Sequence, residues 1–342
     1  MDVKATQELT RFNVISSRIR LARNIEGLPF PNAKTRVNAE RMRALFAGAE
    51  NAAKGLFEYD FYFMKDLTSV QKLAMVERHV ISPALQQNSA TGAVILEKSQ
   101  SISVMLNEED HVREQCKEDG FNLPLAYKRI NRFDDRLSAE LPVAFDDRLG
   151  YLTACPTNLG TGMRASTMLF LPALKLAGSI ETALTKFVKQ YGLTVRGVYG
   201  EGSSALGDMY QLSNTRTLGI DEESIIEIIE RATVEMCLHE SRAREKLAHK
   251  QGVQLYDKVA RSYGILLNAY MLTSAELMSL ISDVKLGVIL NILPLKDTKP
   301  LDKLLVLCSA ANLALATGEA DAEQRDITRA TLVKSILKEV NK

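Results

Sequence analysis

From Asp221 to the C-terminus, apolar residues recur only at helical spacing, whereas the stretch before it alternates strand and helix patterns. That break confines the fold to two unlike parts, a mixed helix-and-sheet unit followed by an all-helical one. Ile225, Ile229, Ala232 and Met236 define a helix running to about Lys250, and Asp221-Glu222-Glu223 place carboxylates at its N-terminus, where the helix dipole favours them. Further helices are predicted over Val253–Ala269, Ser274–Leu290, Leu301–Ala316 and Asp321–Val340, with Gly252, Pro294, Pro300 and Gly318 as punctuation. The junction is placed near residue 247, giving units at 1–247 and 248–342.

Ahead of the junction, Asn38–Gly48 reads as a helix capped by Asn38, and Thr68–Ile81 as another stopped near Pro83. Ala93–Glu97 and Ser101–Leu106 read as paired strands, with Tyr151–Ala154, Thr194–Tyr199 and Met209–Leu212 as shorter ones. Ile180, Leu184, Phe187, Val188 and Tyr191 mark an amphipathic helix capped by Ser179 and closed by Gly192. Of the 342 residues, 46% are apolar and 25% charged, which excludes a disordered chain. A net charge of +1 gives no global field for nucleic acid or an anionic membrane. No apolar run reaches the ~18 residues of a membrane helix, and Met1–Thr6 lacks a signal-peptide pattern. Four cysteines without a CxxC pair suit neither a disulfide framework nor a zinc site. A soluble, cytoplasmic protein with reduced thiols is expected.

The chemistry concentrates in Cys155-Pro156-Thr157-Asn158-Leu159-Gly160-Thr161-Gly162-Met163-Arg164-Ala165-Ser166. Alone, this reads as a strand-to-helix turn with a structural cysteine; a reactive thiolate requires an electropositive, partly exposed setting. Ser16-Ser17-Arg18-Ile19-Arg20 sets two arginines at i and i+2, on one face if the segment is extended. Asn107-Glu108-Glu109-Asp110-His111-Val112-Arg113 and Arg196-Gly197-Val198-Tyr199-Gly200-Glu201 bring arginines and carboxylates to strand ends, and His79 sits on a plain helix. Each segment singly reads as a solvated charged face. Together they supply arginine forks for a polyanion and carboxylates for a cation. No GxxxxGK[ST] loop and no HRD or DFG set is present.

These segments, with Ser213-Asn214 and Leu218-Gly219 downstream, resemble the motifs of the guanidino (phosphagen) kinases over roughly residues 14 to 245. The added C-terminal helices, and the short stretch before the first arginine pair, resemble the branch of that family that phosphorylates arginine in proteins. The resemblance implies an α+β fold: an antiparallel sheet flanked by helices, followed by an all-α unit. It implies an ATP-dependent protein-arginine kinase that uses Mg²⁺ with ATP and has no direct protein ligand to the metal. Arg18, Arg20, Arg113, Arg164 and Arg196 would clamp the phosphates. Ser16, Ser17, Ile19, His79, Ala165, Ser166, Thr167, Met168, Gly197, Val198, Tyr199 and Gly200 would line the nucleotide. Glu109 and Glu201 would hold the acceptor guanidinium, and Cys155 would touch it as a thiolate, with Glu201 also near the nucleotide. Glu108 and Asp110 would act through water on Mg²⁺ or through backbone bonds, and His111 would be structural. Implied partners are arginine-bearing proteins, the activator McsA, the repressor CtsR and ClpC, in a role marking proteins for Clp-type proteolysis.

Arg325-Asp326-Ile327-Thr328-Arg329-Ala330 is a second signal. Arg325 and Arg329 point within roughly 40° of each other on a helix, near Leu332, Ile336 and Val340. From sequence alone this reads as an Asp326–Arg329 surface pair. The resemblance implies a phosphoarginine pocket of Arg325, Asp326 and Arg329. Cys116, Cys237 and Cys308 read as packing or surface residues. Two rival functions stand beside the kinase: a kinase for a free guanidino metabolite, and a non-catalytic phosphoarginine-binding adaptor.

Overall fold

The computed structural model describes residues 3–31, 39–87, 90–197, 206–250, 252–295, 297–318 and 321–340. The first elements are α1 (Val3–Thr10), β1 (Val14–Arg23), α2 (Ala39–Ala53), β2 (Tyr59–Phe63), α3 (Ser69–Glu77) and α4 (Pro83–Gln87). Next come β3 (Ala93–Glu97), β4 (Ile102–Leu106), β5 (Val112–Asp119), α5 (Leu123–Glu140) and the short pair β6 (Phe145–Asp146) and β7 (Gly150–Tyr151). They are followed by β8 (Met163–Phe170), α6 (Pro172–Leu176), α7 (Ile180–Tyr191), β9 (Leu193–Gly197) and β10 (Met209–Asn214). The rest is helical: α8 (Glu222–Lys250), α9 (Gly252–Asn268), α10 (Ser274–Ile289), α11 (Lys299–Leu307), α12 (Ala310–Thr317) and α13 (Ala322–Val340).

Eight strands form one antiparallel sheet in the order β2-β3-β4-β5-β1-β8-β10-β9. One face is covered by α5 and α8. Ala126, Ile130, Phe133 and Leu137 of α5 and Ile225, Ile229, Ala232 and Met236 of α8 share a core with Ile19, Leu21, Ala165 and Leu212 of the strands. Each fully buried aliphatic or aromatic side chain there contributes about 1.5–3 kcal/mol. Thr167 and Thr233 join hydroxyls at 2.8 Å where α8 crosses β8. The same covered face holds Arg23, whose guanidinium forks onto Asp134 at 2.7 and 2.8 Å.

The C-terminal helices reach the other face of the sheet at one end. Phe170 and Met209 pack on Met278 of α10, with Met168, Ile289 and Leu305 at the margin. Lys285 is buried with its Nζ 4.2 Å from the Phe170 ring centre and pairs with Asp302. Cys116, Cys237 and Cys308 are buried packing residues, and burial pushes each thiol up to about 12. Among the described residues, no single helix is long and apolar enough to cross a membrane.

Several elements depart from the sequence-based expectation. The 68–81 helix ends at Glu77 because Arg78 caps it and His79 takes a left-handed conformation (φ 61°). The 301–316 helix is two helices bent by 74° at Cys308 and Ser309. Of the expected 151–154 strand only Tyr151 is in a strand, the two-residue β7, and the cysteine loop leads into a strand, β8, rather than a helix. Ser179 occupies the N-cap position of α7, but its hydroxyl bonds the Leu174 carbonyl (3.3 Å) instead of capping. Asn38, the expected cap of α2, lies outside the described residues, and α2 extends to Ala53.

On α13 the buried stripe is Ala330, Val333 and Leu337, with Leu332 and Ile336 only half-buried beside it; the Val340 side chain lies outside the described residues. Arg329 turns inward with it and is only 1% exposed. Its Nε donates to the Cys308 carbonyl (2.8 Å), and its Nη1 to the Leu272 carbonyl (2.5 Å) and to the Asp326 carboxylate. The Asp326–Arg329 pair is therefore a brace that ties α13 to two helix junctions, α9–α10 and α11–α12, rather than a surface pair. Arg329→Ala should lower unfolding free energy by about 3 kcal/mol in urea titration of the full chain, because a carboxylate and two carbonyls lose their donor. Arg329→Lys should restore little, since one ammonium replaces a planar fork.

Candidate active site

Side chains alternate along a strand, so β1 sends Arg18 and Arg20 to the face opposite the α5/α8 core. Directly paired residues share a face: Arg20 lies opposite Gln115 and Arg164, and Arg18 opposite Lys117 and Ser166. Arg196 pairs with Gln211, which pairs with Met168. Arg113, two residues before Gln115, joins the same face. The expected arginines 18, 20, 113, 164 and 196 are thus brought together, with Lys117 beside them. Ser16, Ser166 and Met168 lie on this face too. Ser17, Ile19, Ala165 and Thr167 do not: Ile19, Ala165 and Thr167 are core residues, and Ser17 bonds the Gly120 carbonyl and the Asn122 amide (2.8 and 2.9 Å). Strand alternation alone decides this split.

The face is strongly cationic. Burial, then Arg113 and Arg164, push Arg18 down to about 10, and its Nη2 donates to Gln211 Oε1 (2.9 Å). Burial and then Arg18, Arg113, Arg164 and Arg196 push Arg20 well down, and its buried Nε has no hydrogen-bond partner among the described residues. A cluster of like charges held against burial and mutual repulsion is poised to accept an anion.

Arg113 is neutralised. Its Nη1 bonds both oxygens of Glu108 (2.8 and 3.1 Å) and lies 3.7 Å from Glu109. Burial favours protonation of Glu108, but Arg113 and Ser82 outweigh it and hold this carboxylate below its usual value. Glu109 behaves in the opposite way: burial, aided by Asp110 and Glu108, raises it despite Arg113. Its side chain is 40% exposed at the rim of the face. Asp110 ties this turn to the cysteine loop, accepting from Asn24 Nδ2 (2.6 Å) and the Ala154 amide (2.7 Å). The residue after Glu109 is thereby bonded to the residue before Cys155. His111 is structural: Nδ1 accepts from the Ile25 amide (3.1 Å), which leaves Nε2–H for the Pro29 carbonyl (3.0 Å).

Cys155 is half-buried at the start of a turn over Pro156–Asn158, with Sγ 3.0 Å from Thr157 Oγ1. Two glycines shape the loop. Gly160 (φ 105°) would put a Cβ 2.1 Å from the Thr217 carbonyl, and Gly162 (φ 63°) one 2.6 Å from Arg23. Thr217 also bonds the Thr157 and Leu159 carbonyls (3.0 and 2.7 Å), so the downstream 213–219 segment carries the loop.

His79 is not on a helix. It is the left-handed residue that closes α3, with His79 N–H to the Val76 carbonyl (2.9 Å) and Val80 N–H to the Met75 carbonyl (3.1 Å), and Met75 packs in one cluster with Val80. Gln115 of the arginine face donates to its carbonyl (2.7 Å). Burial, then Arg18 and Lys117, push its imidazole down to about 4, so the ring is neutral. Val198, Tyr199, Gly200 and Glu201 lie outside the described residues, and Gly197 ends β9. Arg325, Asp326 and Arg329 lie on α13, apart from this face. Lys117, Gln115, Gln211, Asn24 and Thr157 were not singled out in the sequence; counting by twos from Arg113 would have found Gln115 and Lys117.

Residues 40–243 match the family model for the ATP:guanido phosphotransferase C-terminal catalytic domain, so the molecule is an ATP-dependent phosphotransferase of the guanidino-kinase class. Residues 252–342 match the model for the protein-arginine kinase McsB C-terminal domain. A protein-arginine kinase of Caldanaerobacter subterraneus subsp. tengcongensis is 43% identical over 95% of this chain and 96% of its own length. Another, from Moorella thermoacetica, is 44% identical over 95% and 93%. Among solved structures, lombricine kinase aligns with a TM-score of 0.57 and 27% identity, covering 67% of this chain and 66% of its own. The duplicated taurocyamine kinase of Schistosoma mansoni aligns with a TM-score of 0.61 and 25% identity over 77% of this chain and 39% of its own. The chain belongs to the protein-arginine kinase family.

Proposed function

We propose that this enzyme moves the γ-phosphoryl group of ATP onto arginine side chains of proteins, on the sheet face carrying Arg18, Arg20, Arg113, Arg164 and Arg196. The observation that carries this reading is the convergence of five arginines on one sheet face, where burial and mutual repulsion push Arg18 and Arg20 down. A triphosphate supplies negative charge that suits such a cluster. Mg²⁺ travels on the phosphate oxygens, which are its hard ligands. Glu108 is committed to Arg113, and Asp110 Oδ1 to Asn24 and the Ala154 amide. His79 lies against the nucleotide, together with Ser16, Ser166 and Met168.

A guanidinium has a pKa above ~12 and no available lone pair, so it must lose a proton to attack. Glu109, with its raised proton affinity, takes that proton. The freed nitrogen pair bonds the γ-phosphorus, and the bond to the ADP oxygen breaks. Glu201 is the second carboxylate on the guanidinium. Cys155, as a thiolate accepting from Thr157, polarises the same group. The arginines stabilise charge on the transferring phosphoryl group. We place the catalytic unit at 1–247 and a phosphoarginine-reading unit, through Arg325, Asp326 and Arg329, at 248–342. The C-terminal match supports this division; we infer further a cytoplasmic role marking proteins for Clp-type proteolysis with McsA, CtsR and ClpC.

Cys155→Ala should slow turnover about 10²-fold, as for loss of one preorganised stabiliser, with ATP affinity unchanged in calorimetry. The function itself is tested by incubation with ATP and a protein acceptor or free arginine. Acid-labile phosphate mapped to protein arginine by mass spectrometry is expected. Transfer to free arginine alone would make it a metabolite kinase, and no transfer an adaptor.

A further inference from the structure

The carboxylate of Glu77, the last residue of α3, is not spent on its own unit. It accepts the Ser309 hydroxyl (2.7 Å), the Ala311 amide (3.0 Å to each oxygen), and the Asn312 amide and side-chain Nδ2 (3.0 Å each). These groups open α12, whose first-turn amides have no intrahelical partner. Ser309 stands at the N-cap position but makes no side-chain cap of its own. A carboxylate from elsewhere in the chain supplies that cap, with the sign the helix dipole favours. Asn312 also reaches back to the Ala74 carbonyl (3.4 Å), so α12 grips the last turn of α3 at two points. On its far side, α12 begins one residue after Cys308, whose carbonyl Arg329 holds.

Two residues after Glu77 comes His79, held left-handed by the closing turn of α3 and bonded to Gln115 on the arginine face. A non-glycine residue in that conformation costs free energy and stays there only while its surroundings fix it. The surroundings are the α3 terminus, and Glu77 and Ala74 of that terminus are bonded to α12.

We propose that Glu77 is a positioning residue for the nucleotide site: by capping α12 it makes the placement of the C-terminal helices set the conformation of His79, and hence the affinity for ATP. This rests on the reading of His79 as a nucleotide contact. The test compares Glu77→Ala, Glu77→Gln, Asn312→Ala and His79→Ala in the full chain. Glu77→Ala and Asn312→Ala should each raise the KM for ATP about tenfold, the scale of one lost charged hydrogen bond, with kcat and the KM for protein acceptor little changed. Glu77→Gln, which keeps one acceptor oxygen at the same reach, should recover part of the loss. Hydrogen–deuterium exchange at the His79 and Val80 amides should quicken in Asn312→Ala, although the mutation lies in the other unit. Unchanged exchange there, or an unchanged KM in a folded Asn312→Ala protein, would overturn the proposal. Asn312→Ala carries the test if Glu77→Ala fails to fold. If His79→Ala leaves the KM unchanged while exchange at 79–80 still responds to Asn312→Ala, the nucleotide reading of His79 fails and the coupling stands.

Discussion

Arg20→Gln should reduce phosphoryl transfer by about 10³-fold, within the range measured for arginines that stabilise a transferring phosphoryl group. The same substitution should raise the melting temperature of the nucleotide-free protein, by about 2 °C. The opposed signs have one cause. Arg20 lies opposite Arg164, and burial together with four neighbouring arginines disfavours its charge. No carboxylate among the described residues forms an ion pair with it. Without a polyanion it is a liability, and with one it is a ligand. Thermal unfolding with and without MgATP separates the two. Wild type should gain more from nucleotide than the variant does, since stabilisation follows ligand affinity. A variant that melts lower and transfers phosphate within tenfold of wild type would make Arg20 an ordinary structural arginine.

Glu109→Gln should lower kcat by about 10²-fold or more, as for loss of a positioned proton acceptor, with ATP affinity close to wild type. The neighbouring Glu108→Gln should behave otherwise. It leaves Arg113 without its bidentate partner and should weaken nucleotide binding and stability together. Burial raises Glu109, with Asp110 and Glu108 adding to it. The reactive form is the carboxylate, so the rate should rise with pH along a limb lying above the ordinary glutamate value of 4.5. That limb should vanish in Glu109→Gln. An unchanged limb would assign the proton to another group.

The sequence and the structure part company at identifiable places. Strands β3, β4, β9 and β10 and the helical end were legible because apolar periodicity changes at Asp221 and because α7, α8 and the β3–β4 pair have clean patterns, whereas β1, β2, β5 and β8 were not read as strands. The arginine face was legible only as segments. Strand β5 reads as mostly polar, Val112-Arg113-Glu114-Gln115-Cys116-Lys117, because charged residues line both of its faces. Glu114 lies on the covered side near Asp134 and Arg23, and burial raises its pKa well above the usual value. Nothing local to the sequence could show that Ser17 and Thr167 turn from the arginine face while Ser16 and Ser166 turn towards it until the strand register was known. His79 was misplaced on a helix because a histidine, not a glycine, fills the left-handed closing position. The break between α11 and α12 was missed because its cap, Glu77, is 232 residues away from Ser309 in the chain. Arg329 was read as a surface residue because its partners, the Leu272 and Cys308 carbonyls, are backbone atoms that leave no trace in composition.

A structure of the enzyme with MgADP, nitrate and an arginine-containing peptide would test the central claim most directly, since planar nitrate mimics the phosphoryl group in flight. The diphosphate should lie across Arg18, Arg20 and Arg164, with the nitrate bounded by the arginines of the face and the peptide guanidinium between Glu109 and Cys155 Sγ. Nucleotide bound away from this face, or a guanidinium seated without contact to either Glu109 or Cys155, would contradict it.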